Sequence, residues 1–465
     1  MHEQIFFYFT SDFHSQFENW PKIVAFLKEK RKLRLEYNQT CFILDNGDHL
    51  DRVHPITEAL MGQGNIELLN KAQYDAVTIG NNEGITINKA ELIRLYERAS
   101  FKVVCANLIC SVGNNPTWLK PYRIMVTPSG IRIGVIGFTA PFKPFYQPLG
   151  WDVTDPLQMM AQYLPIIKKE ADIILVLSHL GIDQDQMLAE QYPDIDLLIG
   201  GHTHHLFKQG EQHNQTLMSA VGKFGHYVGE AIITWDHQKH CILDKKASAI
   251  SIDHYSNDYD ALKLLEKQSQ RATQLLAKPV ATLSQSYKSE WFSETPLITK
   301  LTEKLAQWTN ADLAMLNAGI LLDGLKAGIV TERDIHRICP HPINPCLVEL
   351  TGQEVLEVIR AGLTNDYMNL EVKGFGFRGK VMGRLVFTGI ELKVEMDNNA
   401  QIHLREVFFQ GKPIELNKLY RVATADMFTF GHLSSQISRA TVKTFFMPEF
   451  IRDLLRETVK ELEEK

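Results

Sequence analysis

The chain has 465 residues, of which 45% are apolar and 22% charged, and its formal net charge is -6. That length exceeds what one hydrophobic core ordinarily serves and predicts two domains, while the composition excludes a disordered or fibrous protein. The negative balance removes any general attraction to nucleic acid or anionic lipid, so a phosphate-bearing ligand would need a local source of positive charge.

The first segment, MHEQIFFYFT, lacks the basic start, long apolar stretch and small-residue cleavage site of an export signal. No later run is apolar enough to span a bilayer, and the terminal ELEEK carries no anchor signal. The expectation is a cytoplasmic protein with neither a membrane nor a nucleic-acid partner, there being no basic stripe interleaved with aromatics. Cys41, Cys105, Cys110, Cys241, Cys339 and Cys346 form no C-x-x-C pair. That argues against a thiolate zinc site and for free thiols in a reducing compartment.

Seven apolar, β-branched runs are predicted strands: Ile5–Thr10, Cys41–Asp45, Ala76–Gly80, Val103–Leu108, Ile131–Phe138, Ile173–His179 and Leu197–Gly201. Helical patterns separate several of them. In WPKIVAFLKEKRKL, Trp20, Ile23, Val24, Leu27 and Leu33 fall near one face, and Pro21 suits a first turn. PLQMMAQYLPIIKKEAD is a second such stretch. Near-continuous apolar strands joined by helices imply sheets covered on both sides, hence an α/β core. Around Tyr255 the texture changes. Tyr259–Lys278 has helical spacing, and Pro279 would end or kink it. Beyond it, PLITKLTEKLAQWTN reads as a helix, and RLVFTGIELKVEMD and REVFFQGKPI read as strands joined by a turn at Asn398-Asn399. The expected domains are 1–254, a linker helix at 255–280, and 281–465.

The chemistry lies at the ends of the early strands. Ile5–Thr10 leads to Asp12 and His14, Cys41–Asp45 to Asp48, and Ala76–Gly80 to Asn81, Asn82 and Glu83. Ile173–His179 ends on His179, and Leu197–Gly201 leads to His202 and His204. Ligand sites in α/β sheets form beyond the carboxyl ends of strands, so these residues converge on one crevice. Taken singly, each has a structural explanation: a capped turn at Asp12, a Gly-Asp turn at Asp48, a left-handed turn at Asn81, a core histidine at His179. As an ordered set they read as metal ligands. Carboxylate, amide oxygen and imidazole together favour manganese, iron or zinc over calcium. An aspartate such as Asp48 can give oxygens to two metals at once, and two metals can polarise a phosphoryl group and activate water.

The series D-x-H, G-D, G-N-N-E, S-H-x-G and G-G-H-x-H resembles the calcineurin-like metallophosphoesterases. Gly47–Gly84, Ser178–Asp183 and LLIGGHTHH are similar to the branch of 5′-nucleotidases and 2′,3′-cyclic phosphodiesterases. Weaker similarity continues through Asn317–Gly324, the segment from Thr331 to Gly352, and Tyr420–Phe428. The resemblance implies a two-sheet sandwich flanked by helices, followed by a smaller α+β substrate-binding domain that delivers substrate to the metals, with Tyr259–Lys278 near the hinge. It implies two divalent ions (manganese, zinc or iron), one held by Asp12, His14, Asp48 and His204, the other by Asp48, Asn81, His179 and His202. It also implies hydrolysis of a small phosphoester, a nucleotide or a relative of one, by a metal-activated hydroxide.

Five departures bear on that expectation. The family's catalytic histidine is replaced by Asn82, and the aspartate that orients it by Ile85. An amide can donate a hydrogen bond beside Asn81 and Asp48 but cannot act as a general acid. His49, His54, Glu83 and His205 are the candidates to replace it. Leu321 stands where the family carries a substrate-contacting arginine, and Pro340–Asn344 and Gly431-His432-Leu433 replace base-binding motifs. Asn317, His341, Asn344, Phe375, Arg378 and Phe428 are the remaining substrate-pocket candidates, with Phe377 and Phe430 beside them. These changes keep a second expectation open, a metal-retaining nucleotide-binding or regulatory protein with weak turnover.

Overall fold

The computed structural model describes residues 2–396, 402–431 and 433–463; the expected turn at Asn398-Asn399 and the residue His432 lie outside them. Two compact units, Met1–Ala272 and Thr273–Lys465, divide within the helix Tyr259–Leu276.

The first unit contains a seven-stranded and a six-stranded sheet. In the seven-stranded sheet, His2–Thr10, Thr40–Asp45, Ala76–Val77, Lys102–Val104 and Leu119–Lys120 run parallel in that order. Tyr227–Asp236 and Cys241–Ser251 extend the sheet antiparallel on the other side of His2–Thr10. The six-stranded sheet is built around Arg132–Thr139, Ile173–His179, Leu197–Gly200 and Thr216–Ser219, all parallel.

Side-chain alternation assigns each strand face to a layer. Ile173, Leu175 and Leu177 join Ile5, Phe7 and Phe9 in one buried cluster, so the two sheets pack face to face. Ile174 and Val176 point the other way, into a cluster with Met160, Leu164 and Ile167 of the helix Pro156–Glu170 and Leu188 of the helix Ile182–Gln191. A strand covered on both sides has no polar face to show, which is why these runs are continuously apolar. The result is a two-sheet α/β sandwich with helices outside it.

The expected strands are present, with local differences. Ala76–Gly80 pairs only at Ala76–Val77, after which Thr78 N–H donates to the Asp45 carbonyl. Val103–Leu108 is split because the Asn107 side chain ties to Thr139, donating to its carbonyl and accepting from its N–H. The helix Trp20–Glu36 has Pro21 at its start, and Trp20, Ile23, Val24 and Leu27 are buried; Leu33 lies beyond the buried stretch.

The second unit is α+β. A five-stranded sheet takes the order Leu385–Thr388, Leu313–Asn317, Leu419–Ala425, Pro345–Thr351 and Lys443–Phe445. A hairpin of Ile390–Met396 and Ile402–Phe409 adds a separate small sheet. The predicted single strand over RLVFTGIELKVEMD breaks at Gly389, where φ is 82° and the chain leaves one sheet for the other. All six cysteines are free thiols, with Cys105, Cys110, Cys339 and Cys346 buried.

Candidate active site

Both sheets of the first unit contribute to one cluster at the carboxyl ends of their parallel strands. Asp12, Asp48 and Asn81 follow three neighbouring strands of the seven-stranded sheet, and His179 and His202 follow two neighbouring strands of the other. Backbone bonds lace the loops together. Asp12 N–H donates to the Gly47 carbonyl at 3.0 Å, His14 N–H to that of Asp48 at 2.8 Å, and Ser15 N–H to that of His49 at 3.0 Å. The His202 N–H bonds the Asp12 carboxylate at 3.0 Å, joining the second sheet to the first.

Asp12, His14, Asp48, His202 and His204 all have positive φ, between 49° and 70°. Side-chain-bearing residues rarely adopt that region, and its concentration at one cluster marks a geometry the surroundings impose. The glycines beside these residues explain how the loops come so close. A Cβ on Gly80 would lie 2.1 Å from Asp48 Oδ1, and one on Gly201 would lie 2.5 Å from Ser11 Oγ and 2.9 Å from Asp12 Oδ2.

The side chains converge. His179 Nε2 is 3.3 Å from Asp48 Oδ2 and 3.3 Å from Asn81 Oδ1, and His202 Nδ1 is 2.8 Å from the same Asn81 oxygen. His14 Nε2 is 3.8 Å from Asp48 Oδ2 and 3.1 Å from His204 Nε2, which is itself 3.6 Å from Asp12 Oδ1. Among the described residues, two groups have ligating atoms within 4.8 Å of one another: Asp12, His14 and His204, and Asp12, Asp48 and His179. Two carboxylates buried side by side with imidazole nitrogens turned toward them form an arrangement that a cation stabilises and an apolar core does not.

The electrostatics agree. Burial drives His202 down to about 4 and His204 down to about 3, leaving both neutral at neutral pH, as a ligand must be. Burial also pulls at His179, but the Asp48 and Asp12 carboxylates outweigh it and raise the ring to about 10, so the two carboxylates here hold a proton in the place where a metal cation would sit and would displace it. Although burial opposes it, the facing His179 and His14 hold Asp48 well below the usual carboxylate range.

Supporting contacts that no motif announced surround the cluster. The Asn46 carbonyl accepts from His179 Nδ1 at 2.7 Å, which turns Nε2 into the cluster. Asp51 Oδ2 lies 3.4 Å from His14 Nδ1 and does the same for that ring. Sequence order gave no sign of Asn46; a second acidic residue three after Asp48 was the only sign of Asp51.

The candidate replacement acids lie elsewhere. Glu83 accepts from the N–H groups of Asp48, Leu50 and Gly80 at 2.9, 3.1 and 2.9 Å. His49 is buried against Phe13 and Trp20. His54 accepts from Ile56 N–H and starts the helix Pro55–Leu60. His205 turns toward Asp185. Asn82 is buried, and its Nδ2 donates to Asp48 Oδ2 at 2.7 Å.

In the second unit, Asn317, His341, Asn344 and Phe428 are buried. Asn317 Nδ2 donates to the Met382 carbonyl and Asn344 Nδ2 to that of Glu449. His341 bonds the Ile320 carbonyl through Nε2, accepts from Arg378 N–H through Nδ1, and stacks on Phe377 at 5.1 Å. Leu321 is fully buried. Phe375 is 39% exposed and lies 7° from parallel with Phe430, the ring centroids 6.2 Å apart.

Residues 7–206 match the family described as calcineurin-like phosphoesterase, and residues 276–435 match the 5′-nucleotidase C-terminal domain. The metallophosphoesterase YunD of Bacillus subtilis is 42% identical over 98% of this chain and 99% of its own length. A 5′-nucleotidase of Vibrio cholerae is 24% identical over 82% of this chain and 75% of its own. Among solved structures, the NAD nucleotidase of Haemophilus influenzae shares the fold at a TM-score of 0.68 with 16% identity, covering 99% of this chain and 97% of that one.

Proposed function

Because this chain belongs to the calcineurin-like metallophosphoesterases with a 5′-nucleotidase C-terminal domain, and is therefore a phosphoester hydrolase, we propose that it works through a dinuclear centre bridged by Asp48. Asp12, His14, Asp48 and His204 hold one divalent ion, and Asp48, Asn81, His179 and His202 hold the other. The observation that carries this reading is the position of one oxygen. Asp48 Oδ2 faces His14 Nε2 at 3.8 Å and His179 Nε2 at 3.3 Å, one histidine from each ligand set. The mixed oxygen and imidazole donors fit manganese, iron or zinc. Such ions supply the polarisation of the phosphoryl group and the activation of the attacking water.

The protein's own groups set what else happens at phosphorus. Asn81 and Asn82 contribute amide dipoles toward a developing negative charge. Asn82 cannot hand a proton to the leaving oxygen, and Glu83, His49, His54 and His205 are each engaged in other contacts. A positioned acid is worth about 10²–10⁴-fold, and it matters most when the leaving group is a poor one. The reading therefore favours esters whose leaving oxygen needs little help, such as aryl esters, or cyclic diesters whose ring strain helps expel it, over simple nucleoside monophosphates.

The substrate is a small phosphoester of the nucleotide class, a reading supported by relatives named as 5′-nucleotidases and by the Phe375–Phe430 pair. The two near-parallel rings, 6.2 Å apart between centroids, offer an aromatic face on which a base can stack. Buried His341 braces the segment that carries Phe375 by accepting from the Arg378 N–H, and Asn344 and Asn317 are held by backbone carbonyls.

The test is hydrolysis by Mn²⁺-loaded and metal-stripped protein, read as phosphate release from an aryl phosphate and 5′-nucleotides and as formation of the ring-opened nucleoside monophosphate from 2′,3′-cyclic nucleotides. Metal-dependent turnover, fastest on the aryl ester or the diesters, is expected. Bound metal with no turnover on any ester would replace this reading with that of a nucleotide-binding protein.

A further inference from the structure

Behind the ligand cluster, on the outer side of the six-stranded sheet, lies a polar group that the chemistry above does not use. Asp185, in the first turn of the helix Ile182–Gln191, is fully buried. Its Oδ1 accepts from the Ser178 hydroxyl, the residue before His179. Its Oδ2 has no hydrogen-bond partner, and neither does His205 Nε2, which faces it at 3.9 Å. Gly200 permits the approach, since a Cβ there would lie 2.4 Å from Asp185 Oδ2 and 3.0 Å from His205 Nε2.

The opposite edge of the same His205 ring closes a second link. His205 Nδ1 and Thr203 Oγ1 are 3.0 Å apart, and that hydroxyl accepts from the Ile182 N–H at 3.1 Å. The helix start is thus hydrogen-bonded once to the turn that carries His202 and His204, through Thr203, and once to the strand end that carries His179, through Ser178, while Asp185 Oδ2 and His205 Nε2 face each other unbonded.

We propose that Asp185 and His205, linked through Ser178 and Thr203, form a clip anchored on the buried Asp185 that fixes the separation of His179 from the His202–His204 turn. Both are positioning residues: they touch no substrate and act through the ligands beside them. Ligands must sit within a few tenths of an ångström for a divalent ion to bind well. Two ligand segments on separate strand ends meet that demand only if something sets their spacing before the ion arrives. The facing atoms, Asp185 Oδ2 and His205 Nε2, complete the clip when the gap between them closes by about an ångström to ordinary hydrogen-bond length.

This inference rests on the metal-binding reading, and the experiment separates the two. Mn²⁺ binding to the full chain is measured by calorimetry, with melting curves of the metal-free proteins alongside. The proteins are wild type, Asp48→Asn, Asp185→Ala, Asp185→Asn and Thr203→Val. Absence of Mn²⁺ binding by the wild type would end the metal reading itself. With wild-type binding in hand, the clip predicts affinity about 10–100-fold weaker in Asp185→Ala, as for other groups that orient metal ligands. Asp185→Asn should come within a few-fold of wild type, since an amide still accepts from Ser178 and can donate to His205. Thr203→Val, at an exposed position, tests the other link if Asp185→Ala does not fold, and should weaken binding several-fold at an unchanged melting temperature. Wild-type affinity in folded Asp185→Ala, or in Thr203→Val, overturns the clip.

Discussion

Replacing Gly201 with alanine adds one methyl group where the structure leaves no space. Gly201 does not have a positive φ, so alanine is acceptable to the backbone and the effect is steric. Its Cβ would fall 2.5 Å from Ser11 Oγ, 2.8 Å from Asn46 Nδ2 and 2.9 Å from Asp12 Oδ2, whereas ordinary contact begins at 3.4 Å. Asp12 must therefore retreat by about 0.5 Å and Ser11 by about 0.9 Å, or the His202 turn must lift by a similar distance. Overpacking of this kind costs about 1–3 kcal/mol of stability. The functional cost is larger, because metal ligands tolerate only about 0.2 Å and a 1 Å misplacement near the chemistry can cost about 10²-fold in rate. The expected outcome is a folded protein, with a melting temperature a few degrees lower, whose Mn²⁺ affinity and kcat on an aryl phosphate each fall by at least about tenfold. Wild-type kcat and affinity in Gly201→Ala would refute the reasoning, since they would mean that the tight approach of the two loops has no bearing on the ligands.

Three further outcomes follow. Asn82→His restores a titratable group beside Asp48 but not the carboxylate that would orient it, since Ile85 remains; a gain of about tenfold in kcat is expected on alkyl esters, the lower part of the range for general acids, with little change on nitrophenyl esters. Phe375→Ala should raise KM for nucleotides several-fold while leaving kcat/KM for a small aryl phosphate unchanged, because the exposed ring can stack on a base and not on phosphate; equal effects on both substrates would remove Phe375 from base binding. Burial raises Asp426 from 3.8 to about 8, so the folded chain holds a proton there that the unfolded chain releases. That contribution is complete below about pH 4 and is lost as pH rises through about 8, at no more than about 1.4 kcal/mol per pH unit. Asp426→Asn should therefore melt progressively higher than wild type between pH 5 and 8, and parallel melting profiles would count against it.

What the sequence made legible follows from the physics of strand ends. In Ile173–His179, both faces are buried by different layers, so the run is apolar through Leu177 and turns polar only at its carboxyl end, Ser178 and His179. Asp12, Asp48, Asn81 and His202 stand out for the same reason. Less visible were contacts made in space rather than in order. Asn46 orients His179 through a carbonyl, which no side-chain pattern encodes. Glu83 looked like a spare acid from its neighbours in sequence, yet its carboxylate gathers three N–H groups from two loops. The strand predicted through Ala76–Gly80 pairs only at Ala76–Val77, because Gly80 has to lie against Asp48, a demand that apolar periodicity cannot register. In the second unit, His341 and Asn344 sit in a recognisable stretch, but burial and backbone bonding, visible only in the fold, determine what their side chains can reach.

The central claim is a pair of ions sharing Asp48, and counting bound metal tests it most directly. Stripped protein titrated with Mn²⁺ and followed by calorimetry and electron paramagnetic resonance should take up two equivalents per chain with a spin-coupled signal, and Asp48→Asn should bind no more than one and lose the coupling. A single equivalent in the wild type, or two coupled ions retained in Asp48→Asn, would contradict the account.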